Sequence, residues 1–380
     1  MISFSLKPQP SKASGTPSFF PSPKLTPKEE EAATPKDSFL PGGVWERESK
    51  PQETETVKAP AEKDSSPSLD SLSSAQSAAL AALPAAPAAA LKEVWSALTG
   101  KSGLQNQFLK LLENGTLAKS DGKKTVVEGL RNLSAQDRAP GVSGTYVTEQ
   151  TVAMLAEPEK NIQQGKSFTC GAAAAQYQMT TNPTLFVEAV DQLTDPEGVF
   201  NLHGATFQRV PGFQADDRSD RERVNRIIQD AFMQAAGGPA RGTYDALSDT
   251  FADGSKGLKT LEIAKLAANI ENAEQAVVLH DGETSKVFRE LFEKLPLGRA
   301  TQIGAYWNQQ DHMLVYRGQE NGTASLFNPQ TQGVVSLPVN ELLFKTQFAI
   351  FPADLVRPRA GELPDDAVYF VPPDQGQKEH

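Results

Sequence analysis

The sequence predicts an α+β protein behind a long unstructured N-terminal tail, and three observations predict it. Helix-period apolar patterns occupy the chain from residue 91 to about residue 295. Short β-patterned runs broken by turn residues follow from residue 299. The first 75 residues are mostly Ser, Pro, Lys, Thr and Glu without an apolar period. Such a segment buries too little surface to offset its ordering entropy. Helices first and an antiparallel sheet afterwards define the α+β class.

The elements follow in chain order. Residues 76–90 are Ala/Pro-rich and read as a linker, or a frayed helix broken at Pro84 and Pro87. Residues 1–90 are thus expected to be tail and linker. Residues 91–159 are expected to form a small helical region. LKEVWSALTG sets Leu91, Val94, Trp95 and Leu98 on one face, and GLQNQFLKLLENG does the same with Leu104, Phe108, Leu111 and Leu112. KTVVEGLRNLSAQ is a third helix. Residues 160–356 form the expected catalytic domain. In it FTCGAAAAQYQMT is a helix, and PTLFVEAVDQL is another, capped by Asn182 with Pro183 at its first position. Helices near 217–236 and 258–272 flank a Gly-rich loop, and SKVFRELFEKL is amphipathic. RATQIGAYW, HMLVYRG, TASLFN and GVVSLP are strands, with QENG and NPQTQG suited to hairpin turns. QFAIFP is a last strand, and residues 357–380 read as a loose tail.

Bulk composition excludes several functions. The 380 residues carry a net charge of −10, which repels nucleic acid and anionic membranes. One cysteine excludes an internal disulfide and a Cys-based zinc site. No apolar run approaches the roughly 18 residues of a membrane span. The N-terminus shows no apolar signal segment. A cytoplasmic protein is expected, or one exported without a Sec-type signal, as a bacterial effector is. P-loop, HExxH and dinucleotide fingerprints are missing, so no cofactor or metal is expected.

The chemistry-bearing residues are few. Cys170 stands at a helix N-terminus, where unpaired N–H groups and the helix dipole favour a thiolate. A thiol nucleophile needs a base. Of the four histidines, His312 opens a strand after the polar NQQD loop and is the best placed. His203 and His280 read as loop and strand-end residues, and His380 is terminal. Asn328, sixteen residues after His312, is placed to orient the imidazole. Asp311 adjoins the histidine but points to the opposite strand face. The Cys170 N–H and the Gln164 side-chain amide, six residues upstream, are candidate oxyanion donors. The charged run DDRSDRER reads as a solvated helix face.

The order Gln164, Cys170, His312, Asn328 resembles papain-like cysteine peptidases. Q-G-x-x-x-x-C over 164–170 looks like their oxyanion glutamine and nucleophile. Cys-Gly-Ala-Ala opening a helix resembles the bacterial branch that trims double-glycine leader peptides. So does His312, Val315 and Gly318 in one strand, followed by Asn328-Pro329 and Gly333. The similarity covers roughly residues 160–352 and implies a papain-like fold cleaving a protein or peptide substrate. The Cys-Gly-Ser-Cys-Trp signature of the lysosomal type is absent. About 140 residues separate Cys170 from His312, which implies an insertion near 210–260. Asn328 replaces the branch's usual Asp. Peptidase, transglutaminase and deamidase outcomes stay open, as does a binding module that keeps the fold without catalysis.

Overall fold

The computed structural model describes residues 67–211, 213, 218–280, 284–295, 301–331, 333–362 and 368–370. The expected disorder over residues 1–66 falls outside them. The described residues belong to one compact unit, Glu62–His380.

Helix α1 (Ser74–Ala81) opens with a capping box between Ser73 and Gln76. Helix α2 (Ala85–Ala97) starts after Pro84 and runs through Pro87. The linker expected over residues 76–90 is therefore largely helical. Pro84 does end one helix. Pro87 breaks nothing, because first-turn N–H groups have no helical acceptor to lose. Helices α3 (Ser102–Glu113), α4 (Val126–Ala135), α5 (Gly144–Ala156) and the short α6 (Pro158–Asn161) follow. Leu91, Val94, Leu98, Phe108, Leu111 and Leu112 are buried as their spacing predicts. They join the same core cluster as Ala172, Val315 and Phe327. The helices over 91–159 thus share a core with the segment that follows.

Helix α7 (Cys170–Met179) is the centre of that core. All nine residues after Cys170 are buried, so the helix is covered on every side. Its Ala run permits this close packing. A Cβ at Gly171 would meet Ile263 Cγ1 at 3.0 Å. Helix α8 (Pro183–Thr194) is capped by Asn182, whose side chain accepts the Leu185 N–H. A hairpin of β1 (Val199–Leu202) and β2 (Ala205–Gln208) leads to α9 (Arg223–Arg241), which kinks at Gly238. A second hairpin, β3 (Tyr244–Asp245) and β4 (Thr250–Phe251), precedes α10 (Thr260–Glu271). Neither hairpin is expected from the sequence, because strands of two to four residues carry no readable period.

The remaining elements are β5 (Gln275–Leu279), α11 (Ser285–Lys294), β6 (Thr301–Trp307), β7 (Gln310–Glu320), β8 (Thr323–Asn328), β9 (Gly333–Pro338), α12 (Val339–Lys345), β10 (Thr346–Pro352), α13 (Ala353–Val356) and β11 (Val368–Phe370). Their sheet has the order β11-β5-β10-β6-β7-β8-β9, with every neighbouring pair antiparallel. The tail expected to be loose contributes β11, paired to β5. Alternate residues divide the sheet between two cores. Val277, Met313, Val315 and Phe327 face the cluster containing α7. Val278, Leu314, Tyr316 and Leu326 join the cluster with α11 and α12. Both faces are covered, and the protein is α+β. Among the described residues, no helix is long and apolar enough to cross a membrane.

Candidate functional site

Cys170 is the first residue of α7 and is half-buried. Thr169 precedes it at the cap position, but its hydroxyl makes no bond to the helix. It donates instead to Gln229 Oε1 at 2.9 Å. The first-turn N–H groups beside the sulfur are left without a side-chain cap.

A buried polar network holds the segment before Cys170. Gln229 Nε2 donates to Gln163 O and to Gln176 Oε1, both at 2.9 Å. Gln176 Nε2 donates to Asn225 Oδ1 at 2.9 Å, and Asn225 Nδ2 donates to Asn161 O at 2.9 Å. Arg221 donates to Gln229 Oε1 and pairs with Asp230 at 3.0 Å. Gln176, Asn225 and Gln229 are fully buried, so each bond is made without competition from water. The reading of DDRSDRER as a solvated helix face fails at Arg221, whereas Arg218, Asp220 and Glu222 are exposed, and Asp216 and Asp217 lie outside the described residues. Arg221 is 1 % exposed, and the helix begins only at Arg223.

The other half of the site lies on β7 and β8. Their register pairs Val315 with Phe327 and Tyr316 with Leu326. His312 is therefore diagonal to Asn328 on one side of the ladder, within reach of a long side chain. His312 Nε2 and Asn328 Oδ1 are 2.9 Å apart. The same Oδ1 accepts the Gln330 N–H at 2.9 Å, so that atom must be the oxygen. The ring then donates through Nε2–H, and Nδ1 carries the lone pair. Phe327 stacks on Tyr177 of α7, centroids 4.2 Å apart and planes 13° apart. This pins the residue before Asn328 to the cysteine helix.

Cys170 and His312 line one cavity of about 370 Å³. Leu258, Ile263, Gly304 and Phe348 give it apolar walls, and Lys259 and Asp311 stand among its polar lining. A Cβ at Gly304 would come within 2.1 Å of Phe348 Cε1, so only glycine admits that ring. The backbone N–H of Met313, the residue after His312, acts on the sulfur and favours its thiolate. Residue types carry no sign of that N–H, because a backbone donor is common to nearly every residue.

Burial pushes the Cys170 thiol up, against the pull of the Met313, Gly171 and Cys170 N–H groups, and the nearby Asp249 charge pushes it further. Burial pushes His312 down, and the Asn328 bond opposes this. Both shifts favour a neutral thiol beside a neutral imidazole over an ion pair.

Gln164 is buried in the loop before α7. Its backbone N–H donates to Pro329 O at 3.0 Å, joining the loop to the turn after Asn328. Its Nε2 donates to Ser167 O at 3.0 Å, and the residue does not line the cavity. The structure thus sets Cys170 and His312 on one cavity, bonds Asn328 to His312, and leaves Gln164 off the cavity lining. His203 lies in the β1–β2 turn against Asn269 O at 2.7 Å. His280 meets Ser285 Oγ at 3.1 Å and Phe288 edge-on. Neither lines the cavity. Asp311 is exposed and accepts from Gln347 Nε2 at 2.9 Å. Among the described residues, no group of three or more His, Cys, Asp and Glu side chains is placed to hold a metal ion.

Compared with known protein families, curated proteins and solved structures, the chain finds no match.

Proposed function

We propose that the protein is a cysteine-dependent acyl-transfer enzyme of papain-like architecture that hydrolyses peptide bonds. The observation that carries this reading is the Nε2-protonated His312, held by Asn328, in the cavity that Cys170 lines. Cys170 rests as a thiol. As its sulfur attacks a substrate carbonyl, His312 Nδ1 takes the proton and later gives it to the leaving amine. The Cys170 N–H at the uncapped helix end faces the developing oxyanion. Gln164, which does not line the cavity as it stands, supplies a second donor only when its amide leaves Ser167 O and turns toward Cys170. Water then releases the acyl group. The apolar walls suit one uncharged side chain of a peptide.

The neutral resting pair favours a second reading, a peptide-binding module that keeps the fold without turnover. One comparison separates them. Under the enzymatic reading a peptide library is cleaved by the wild type, and Cys170→Ala abolishes cleavage. His312→Ala also slows iodoacetamide labelling of Cys170. Labelling unchanged by His312→Ala, with no product from any amide substrate, leaves the binding module.

A further inference from the structure

The insertion implied by the long Cys170–His312 spacing reaches the nucleophile loop. Its second hairpin carries Asp249 at φ 52, a left-handed turn conformation that costs free energy outside glycine. The side chain explains the position. Asp249 Oδ2 accepts the Phe168 N–H at 2.7 Å, across 81 residues of sequence. Asp249 Oδ1 accepts the buried Tyr244 O–H at 2.6 Å. Phe168 and Thr169, the two residues before Cys170, are thus held from two sides, by Asp249 and by Gln229.

We propose that Asp249 is a positioning residue for Cys170: it anchors the loop through Phe168 and restrains the sulfur with its negative charge. The proposal deepens the acyl-transfer reading and rests on it for its role in turnover, but not for its test. The charged and titratable groups facing Asp249 are Tyr244 on β3, Arg221 before α9, Lys256 after β4 and Cys170 on α7. The Asp230 charge also acts on Tyr244. Around the sulfur, His312 of β7, Asp311 and Lys259 share the cavity. Burial holds the Asp249 carboxyl above its ordinary range, against the bonds from Tyr244 and Phe168. A negative charge near a thiol opposes thiolate formation.

Asp249→Asn separates anchor from charge. The Asn oxygen still accepts the Phe168 N–H, and its amide can donate to the Tyr244 oxygen. The test is the pH dependence of iodoacetamide alkylation of Cys170 in the full chain, with thermal unfolding alongside. The midpoint of Asp249→Asn is expected to fall, because the carboxylate charge acting on the thiol is gone, with unfolding unchanged or raised at neutral pH. Asp249→Ser, a neutral acceptor of different shape, should move it the same way. A midpoint that stays or rises in the folded variants overturns the proposal. So does failure of both to fold, because the charge would then serve the fold. A His312→Ala control keeps the two readings apart. Slowing by His312→Ala with no Asp249→Asn shift sinks only this inference. The reverse pattern sinks only the role of His312.

Discussion

The two halves of the site are held by different means. His312 and Asn328 are placed by strand register, with one hydrogen bond between neighbouring strands. Cys170 is placed by side chains from distant elements, Gln229 and Asn225 of α9 and Asp249 of the β3–β4 turn, bonded to Gln176 of its own helix and to the loop before it. The first arrangement survives most substitutions that respect the pleat. The second fails when any one amide loses its partner, because a buried polar group left unpaired costs about 1–3 kcal/mol. The His312 half is therefore the sturdy one and the Cys170 half the vulnerable one.

The strongest way to break this contrast is Gly165→Ala. Gly165 has φ 59, and a Cβ there would sit 1.9 Å from Ser219 O. The loop must move as a whole, at a cost of about 3 kcal/mol or more in denaturant unfolding. Next is Gln229→Leu. It strands the Thr169 hydroxyl, the Gln163 carbonyl and Gln176 Oε1, and should cost about 2–3 kcal/mol. It should also slow Cys170 labelling while the His312 ring resonances keep their Asn328-bonded pattern by NMR. Asn328→Ala attacks the sturdy half instead. Loss of the fixed tautomer should reduce peptide turnover about tenfold or more, with a smaller effect on stability. Tyr177→Leu removes the stack between the halves and should cost about 1 kcal/mol. Smallest is the acid response. An unfolded histidine binds its proton near pH 6.5, whereas folded His312 resists it. Acid therefore favours the unfolded chain, and stability contributed by His312 is lost as pH falls below about 6.5. The loss should vanish in His312→Gln, read by unfolding midpoints between pH 7 and pH 5.

What could be read from residues follows the same divide. The helix opening at Cys170, the capped α8 and the four hairpin-linked strands are local patterns, and they appear where their periods place them. The His312–Asn328 contact follows from a hairpin of countable length. Helix α2 is hidden by Pro87, because Ala/Pro composition reads as linker although a first-turn proline removes no helical hydrogen bond. Arg221 looked like surface charge because nothing local announces Asp230 nine residues on as its buried partner. Asp249 had no legible signal: its bond to Phe168 exists only once the hairpin has folded against α7.

One backbone proton has a use of its own. The Gln164 amide hydrogen ends on Pro329, so it is shielded only while the two sides of the cleft stay joined. Its exchange with deuterium would time how often they part. Comparing that clock with and without a bound peptide would tell whether occupancy seals the seam or pries it apart.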